Sequence, residues 1–136
     1  MTTDASEKPL PFRTSWNTAF WEATKQHQFL IERCAKCETP RFPPKPLCSK
    51  CWSGETTLVP AAGTGTVYTY TILHRAGLPA FQAEVPYAIV LVELDEGVKA
   101  MSNLVHCELD QVHIGMPVRM VWEDGDDLAL YKFEPA

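Results

Sequence analysis

At 136 residues, 46% of them apolar and 21% charged, the chain has room for one ordinary domain with a real core plus a small appendage, and it lacks the low-complexity bias of a disordered segment. Its net charge of −5 argues against the strong phosphate attraction on which nucleic-acid binders depend. No stretch approaches the roughly twenty apolar residues of a membrane span, and the opening MTTDASEKPLPF has no apolar run of signal-peptide length, so a soluble, cytoplasmic protein is expected.

Residues 1–30 are expected to form an N-terminal helical segment. Within it TSWNTAFWEATKQHQF reads as a helix, with Thr14 or Ser15 as N-cap and Trp16, Ala19, Phe20 and Ala23 at helical spacing. Trp21 broadens that stripe. Two tryptophans and a phenylalanine are more apolar surface than one short helix can hide against a small neighbour, so either the protein's own core or a partner subunit has to cover them.

Residues 31–56 contain CAKCETPRFPPKPLCSKC, which sets Cys34, Cys37, Cys48 and Cys51 into two Cys-x-x-Cys pairs. In a reducing compartment disulfides rarely persist, and the fifth cysteine, Cys107, would have no partner. Two thiolates from each of two facing turns match a tetrahedral ion, which points to a structural Zn²⁺ in a rubredoxin-like ribbon. A full four-cysteine set leaves no coordination position for water or substrate, so the metal holds structure. Iron also accepts four thiolates and stays open at this point, as does a pair of metal-free redox dithiols, which would need the strand–helix setting of a thioredoxin. Residues 33–50 carry Arg33, Lys36, Arg41, Lys45 and Lys50 against Glu38 alone, giving +4 there and −5 − 4 = −9 over the rest. A small basic face on an acidic body is either a solvated surface or a site for a few phosphates.

Residues 57–136 change to period two. Strands are expected at 58–73, bent at Gly63 and Gly65, and then at 86–94, 98–105, 117–123 and 128–134, with hairpin turns at Asp95-Glu96-Gly97 and over 124–127. Five strands in this span suggest a small Greek-key barrel, so the fold class is mainly β: a helix and a four-cysteine zinc ribbon followed by a five-stranded OB-fold. No nucleophile elbow, phosphate-binding glycine loop, zinc-protease helix or dinucleotide fingerprint occurs. His74, His106 and His113 are potential bases, but His106 and Cys107, as strand neighbours, would point to opposite faces rather than pair.

A capped helix containing FWEA, then QFLIERC, the doubled cysteine ribbon, GTGTVYTYTIL, a strand opening on PY, LDEGVKA and IGMPVRMVWE together resemble, from about Phe12 to Phe133, the zinc-ribbon plus OB-fold proteins first catalogued as domain of unknown function 35. That resemblance implies a non-catalytic accessory subunit that scaffolds a thiolase-superfamily acyltransferase or retro-aldolase, or accompanies an acyl-CoA hydratase, and helps hold coenzyme A thioesters, in lipid or steroid side-chain metabolism. Coenzyme A carries phosphates and an adenine, so cations with aromatic neighbours are the candidates to hold it. On the ribbon these are Lys36, Arg41, Phe42 and Lys45; on the loop after the first barrel strand they are His74, Arg75, Phe81 and Tyr87. The other function classes are a nucleic-acid adaptor, because ribbons and OB-folds both serve that use, and a small independent acyl-CoA enzyme.

Overall fold

A computed structural model describes residues 8–136, so the first seven residues of the predicted helical segment lie outside the described residues. Helix α1 spans Thr18–Thr24 and is shorter than expected. Thr14 starts the turn that leads into it. Its backbone N–H donates to Asn17 Oδ1 at 2.7 Å, and the Asn17 N–H donates to Thr14 Oγ1 at 3.2 Å, a reciprocal pair that uses two otherwise orphaned groups in the manner of a capping box. Trp16 falls in this turn and is 47% exposed, and Ala19 is exposed too, so the expected stripe is rotated. The face turned inward is Phe20 and Thr24, one turn apart, with Trp21 packed beside it. Thr24 Oγ1 draws that face in by accepting the Ala129 N–H at 3.0 Å from the far end of the chain.

Strand β1 (Leu30–Cys34) is the middle of a three-stranded antiparallel sheet, between β2 (Pro40–Arg41) and β3 (Thr56–Pro60). Here the structure corrects the reading of Leu58–Leu73 as one bent strand. Residues up to Pro60 pair with β1, from Cys34↔Thr56 to Leu30↔Pro60, and the chain then turns into a different sheet as β4 (Thr64–Leu73). The turn is made at Gly63, whose φ of +83° costs a glycine little and whose carbonyl accepts the Met120 N–H at 2.7 Å.

With β5 (Tyr87–Leu94), β6 (Lys99–Leu104), β7 (Pro117–Asp124) and β8 (Ala129–Pro135), strand β4 closes a barrel in the order β4-β5-β6-β8-β7. All neighbours are antiparallel except β6 and β8, which meet at Leu104↔Phe133. Closure needs β4 to serve two partners. Its start pairs with β7 at Thr64↔Arg119, Gly65 to Leu73 pair with β5, and a bulge lies between Val67 and Thr69. Gly65 sits at the tightest approach, where an added Cβ would lie 2.2 Å from the Glu93 carbonyl oxygen. Alternation sends Ala88, Val90, Val92 and Leu94 of β5 inward with Val67, Val118 and Phe133.

An aromatic junction joins helix, ribbon and barrel. Phe20 packs on Phe29 at 5.2 Å and Phe42 at 5.4 Å between ring centroids, and Phe29 packs on Tyr131 at 5.0 Å, mostly edge to face. Burial of Phe20 alone is worth about 1.5–3 kcal/mol. The aromatic surface of the helical segment thus divides: Phe20, and in part Trp21, are covered by the protein's own core, while Trp16 is left in solvent.

Candidate metal centre and ligand surfaces

The two Cys-x-x-Cys turns are built alike. Cys34 ends β1 and its carbonyl accepts the Glu38 N–H at 2.9 Å while its own N–H donates to Thr39 O at 3.0 Å. Cys48 repeats both bonds, with Trp52 and Ser53 as partners at 2.9 Å each. The residue after each pair, Glu38 and Trp52, is left-handed with φ of 63° and 67°, a conformation that costs a non-glycine residue about 1–2 kcal/mol. Each turn aims an amide at its first sulfur: Cys37 N–H to Cys34 Sγ and Lys50 N–H to Cys48 Sγ, both at 3.4 Å. The amides of Cys51 and Lys50 push the Cys48 thiol down to about 6, and the Cys37 amide lowers that of Cys34, so the first sulfur of each pair favours thiolate, whereas the neighbouring sulfurs outweigh the Ser53 amide and push Cys51 up to about 11.

The four sulfurs lie within 4.8 Å of one another, with Cys34–Cys51 at 3.4 Å and Cys37–Cys48 at 3.7 Å. Four sulfurs about 2.3 Å from one tetrahedral ion are about 3.8 Å apart, so shifts of about 1 Å or less would bring the set around a zinc ion. Cys34 and Cys48 are buried, Cys51 half-buried and Cys37 exposed.

The residues expected to hold coenzyme A are not brought to one place. Lys36 and the Lys45 side chain are exposed on the ribbon, but Arg41 is buried, its Nε donating to Glu32 Oε1 at 3.0 Å, and Phe42 packs in the aromatic junction. Neither offers its side chain freely to a phosphate or an adenine. His74 and Arg75 are exposed after β4, and they do not line the cavity that their loop helps to build. Phe81, on a single 3₁₀ turn (Pro79–Phe81), and Tyr87 do converge, with ring centroids 6.5 Å apart. They line a cavity of about 730 Å³ over β5, β6 and β8, together with Leu10, Met101, Asn103, Lys8 and Lys132. These last residues escaped the sequence reading. An apolar Met101 at an outward position of β6, 63% exposed, is the signal that could have found them.

His106 and Cys107 do not pair, though not because of strand alternation: both lie beyond the end of β6. His106, left-handed at φ 58°, bonds through Nδ1 to Glu134 Oε1 at 2.8 Å, whereas the Cys107 thiol donates to the Glu108 carbonyl at 3.3 Å. Burial raises the Cys107 thiol above its ordinary value, which opposes a nucleophile.

Residues 21–57 match the family described as ChsH2, rubredoxin-like zinc ribbon domain, and residues 58–123 match ChsH2, C-terminal OB-fold domain. A DUF35 domain-containing scaffold protein of Methanocaldococcus jannaschii is 38% identical over 85% of this chain and 87% of its own. The chain belongs to the DUF35 family. A solved DUF35 relative, titled Ltp2-ChsH2(DUF35) aldolase, is 44% identical and superposes with a TM-score of 0.83 over 93% of this chain and 98% of its own. A probable enoyl-CoA hydratase alpha subunit of Thermomonospora curvata is 46% identical over 98% of this chain but 43% of its own, so the chain spans less than half the length of that relative. The two family matches abut between residues 57 and 58, inside β3. Among the described residues no helix is long and apolar enough to cross a membrane.

Proposed function

We propose that this chain is an accessory subunit that carries one structural zinc ion, docks a thiolase-superfamily enzyme of acyl-CoA metabolism and helps hold its coenzyme A thioester while the partner supplies the catalytic residues. The observation that carries the reading is the end-to-end match, in both directions, to a chain whose structure is titled an aldolase with Ltp2. Zinc is supported by sulfur spacings close to those of a tetrahedral four-thiolate site. When bound it supplies a fixed positive charge that locks the two knuckles together, and with four thiolates there is no vacant position for substrate. The cavity under Phe81 and Tyr87 is in the size range of small-molecule sites; at its wall stand Lys132 and Lys8, the latter paired with Glu84 at 2.7 Å, and with Lys36 and Lys45, exposed on the ribbon, they are the cations that could meet phosphates. A cytoplasmic setting in lipid or steroid side-chain breakdown belongs to the same proposal. An acyl-CoA hydratase component as partner is a second reading, favoured by the 46% identity to a hydratase alpha subunit.

Co-expression with a thiolase-like enzyme tests the reading. We expect one complex by native mass spectrometry, one zinc per chain by elemental analysis, and thioester turnover only when the partner is present. Cys34→Ser should release the zinc and lower soluble yield, since binding of structural zinc is worth on the order of 10–16 kcal/mol and is coupled to folding. Turnover by the lone chain, or salt-sensitive retention of RNA or DNA in place of a protein complex, would overturn it.

A further inference from the structure

Behind the second knuckle lies a buried ion pair. Glu32 of β1 and Arg41 of β2 are cross-strand partners, only 3% and 8% exposed, and Arg41 Nε donates to Glu32 Oε1 at 3.0 Å. The pair grips the loop that delivers Cys48. Lys45 N–H donates to the same Glu32 oxygen at 2.8 Å, and Arg41 Nη2 donates to the Lys45 carbonyl at 3.4 Å. Two charges taken out of water cost several kcal/mol each unless their remaining donors and acceptors are used. Yet Arg41 Nη1 is buried and meets no hydrogen-bond acceptor. Burial works against the guanidinium charge, and Glu32, and after it the Cys48 sulfur, outweigh burial and raise its hold on the proton. An arginine in this setting is a permanent cation with one spare buried N–H, anchored to the loop that delivers Cys48.

We propose that Arg41 is the positioning residue of the second knuckle, clamping Lys45 and donating its spare Nη1–H to the Cys48 thiolate when the metal is bound. Four thiolates around a divalent ion leave a net charge of about −2, and a buried guanidinium offsets part of it where water cannot. The clamp also accounts for a charged pair in so small a sheet, because it fixes both backbone groups of a residue three positions ahead of Cys48. In this reading the ribbon keeps Arg41 for the metal, not for a phosphate. The inference rests on the metal proposal above.

The test uses Co²⁺ and Zn²⁺ with the full chain. Arg41→Lys keeps the charge and loses the Nη pair; Glu32→Gln with Arg41→Met removes both charges, so no buried carboxylate is left unpaired. Both variants should bind Zn²⁺ about 10–100-fold more weakly in chelator competition, the usual effect of losing an outer-shell partner. Both should also move the sulfur-to-Co²⁺ charge-transfer band to longer wavelength, because a hydrogen bond holds down the sulfur lone pair. Wild-type affinity and an unmoved band in the two variants overturn the inference while leaving the metal proposal standing. Absence of metal uptake by the wild-type chain removes the metal proposal itself. Failure of both variants to fold with zinc in excess counts against the inference too, since a role confined to Cys48 is compensated once metal saturates the site.

Discussion

Glu134 shows how single residues set the conditions under which this barrel holds. Its carboxylate takes His106 Nδ1 on one oxygen at 2.8 Å and Arg119 Nη2 on the other at 2.7 Å, and these two partners, His106 first, hold its pKa below the ordinary 4.5. A carboxyl group with a depressed folded pKa binds protons more weakly when folded than when unfolded. Its contribution is therefore fully present above about pH 4.5 and is lost as pH falls through the folded value. We expect Glu134→Gln to lower the thermal midpoint modestly at neutral pH and to lessen its fall below pH 4.5; parallel midpoint-against-pH curves for the two proteins would show that the pair contributes nothing. Arg41 teaches the opposite lesson about residue-level reading. By sequence it is one of five ribbon cations, and only its burial against Glu32 sets it apart.

Among the elements, α1 separates aromatic residues that the sequence could not. Phe20→Ala should cost about 3–5 kcal/mol, since it opens a void shared by Phe29 and Phe42. Trp16→Ala should stay within about 0.5 kcal/mol in the isolated chain, because a side chain 47% exposed has little packing to lose, yet it should weaken the complex if the helix faces the partner. Thermal unfolding of the lone chain alongside a binding titration distinguishes the two; equal stability losses would mean that Trp16 is packed in solution. The split between β3 and β4 is a second case. Val59 and Val67 belong to similar alternating stretches, but β1 supplies a partner edge for the first and β5 for the second.

At the scale of the whole molecule, charge is segregated. Arg33, Lys36, Lys45 and Lys50 are exposed on a ribbon attached to an acidic barrel, whereas Phe81 and Tyr87 open a cavity with its own lysines. If the ribbon cations meet coenzyme A phosphates, Lys36→Glu with Lys45→Glu should weaken coenzyme A binding to the partner-bound complex and flatten its salt dependence, at about 0.2–1 kcal/mol per exposed contact. Unchanged affinity and salt slope would leave the phosphates to Lys8 and Lys132 at the barrel.

The clustering of the four candidate metal-binding cysteines was legible because two short turns carry all the information it needs: the spacing within each pair is local, and so are the amides that aim at Cys34 and Cys48. Four of the five barrel strands were legible close to their limits for the same reason, since a period of two is written in neighbouring residues. Their order around the barrel was not spelled out strand by strand, because Leu104↔Phe133 joins residues far apart in the chain. The cavity divides along that line. Phe81 and Tyr87 were named from one loop, but Lys8, Met101 and Lys132 join them only after β5, β6 and β8 have packed side by side. By itself the sequence determined which residues could bind metal, where the barrel strands lie and the family to which the chain belongs. Only the tertiary structure decided which cations face water and which aromatics face the core, because burial belongs to distant neighbours and not to the residue that is buried.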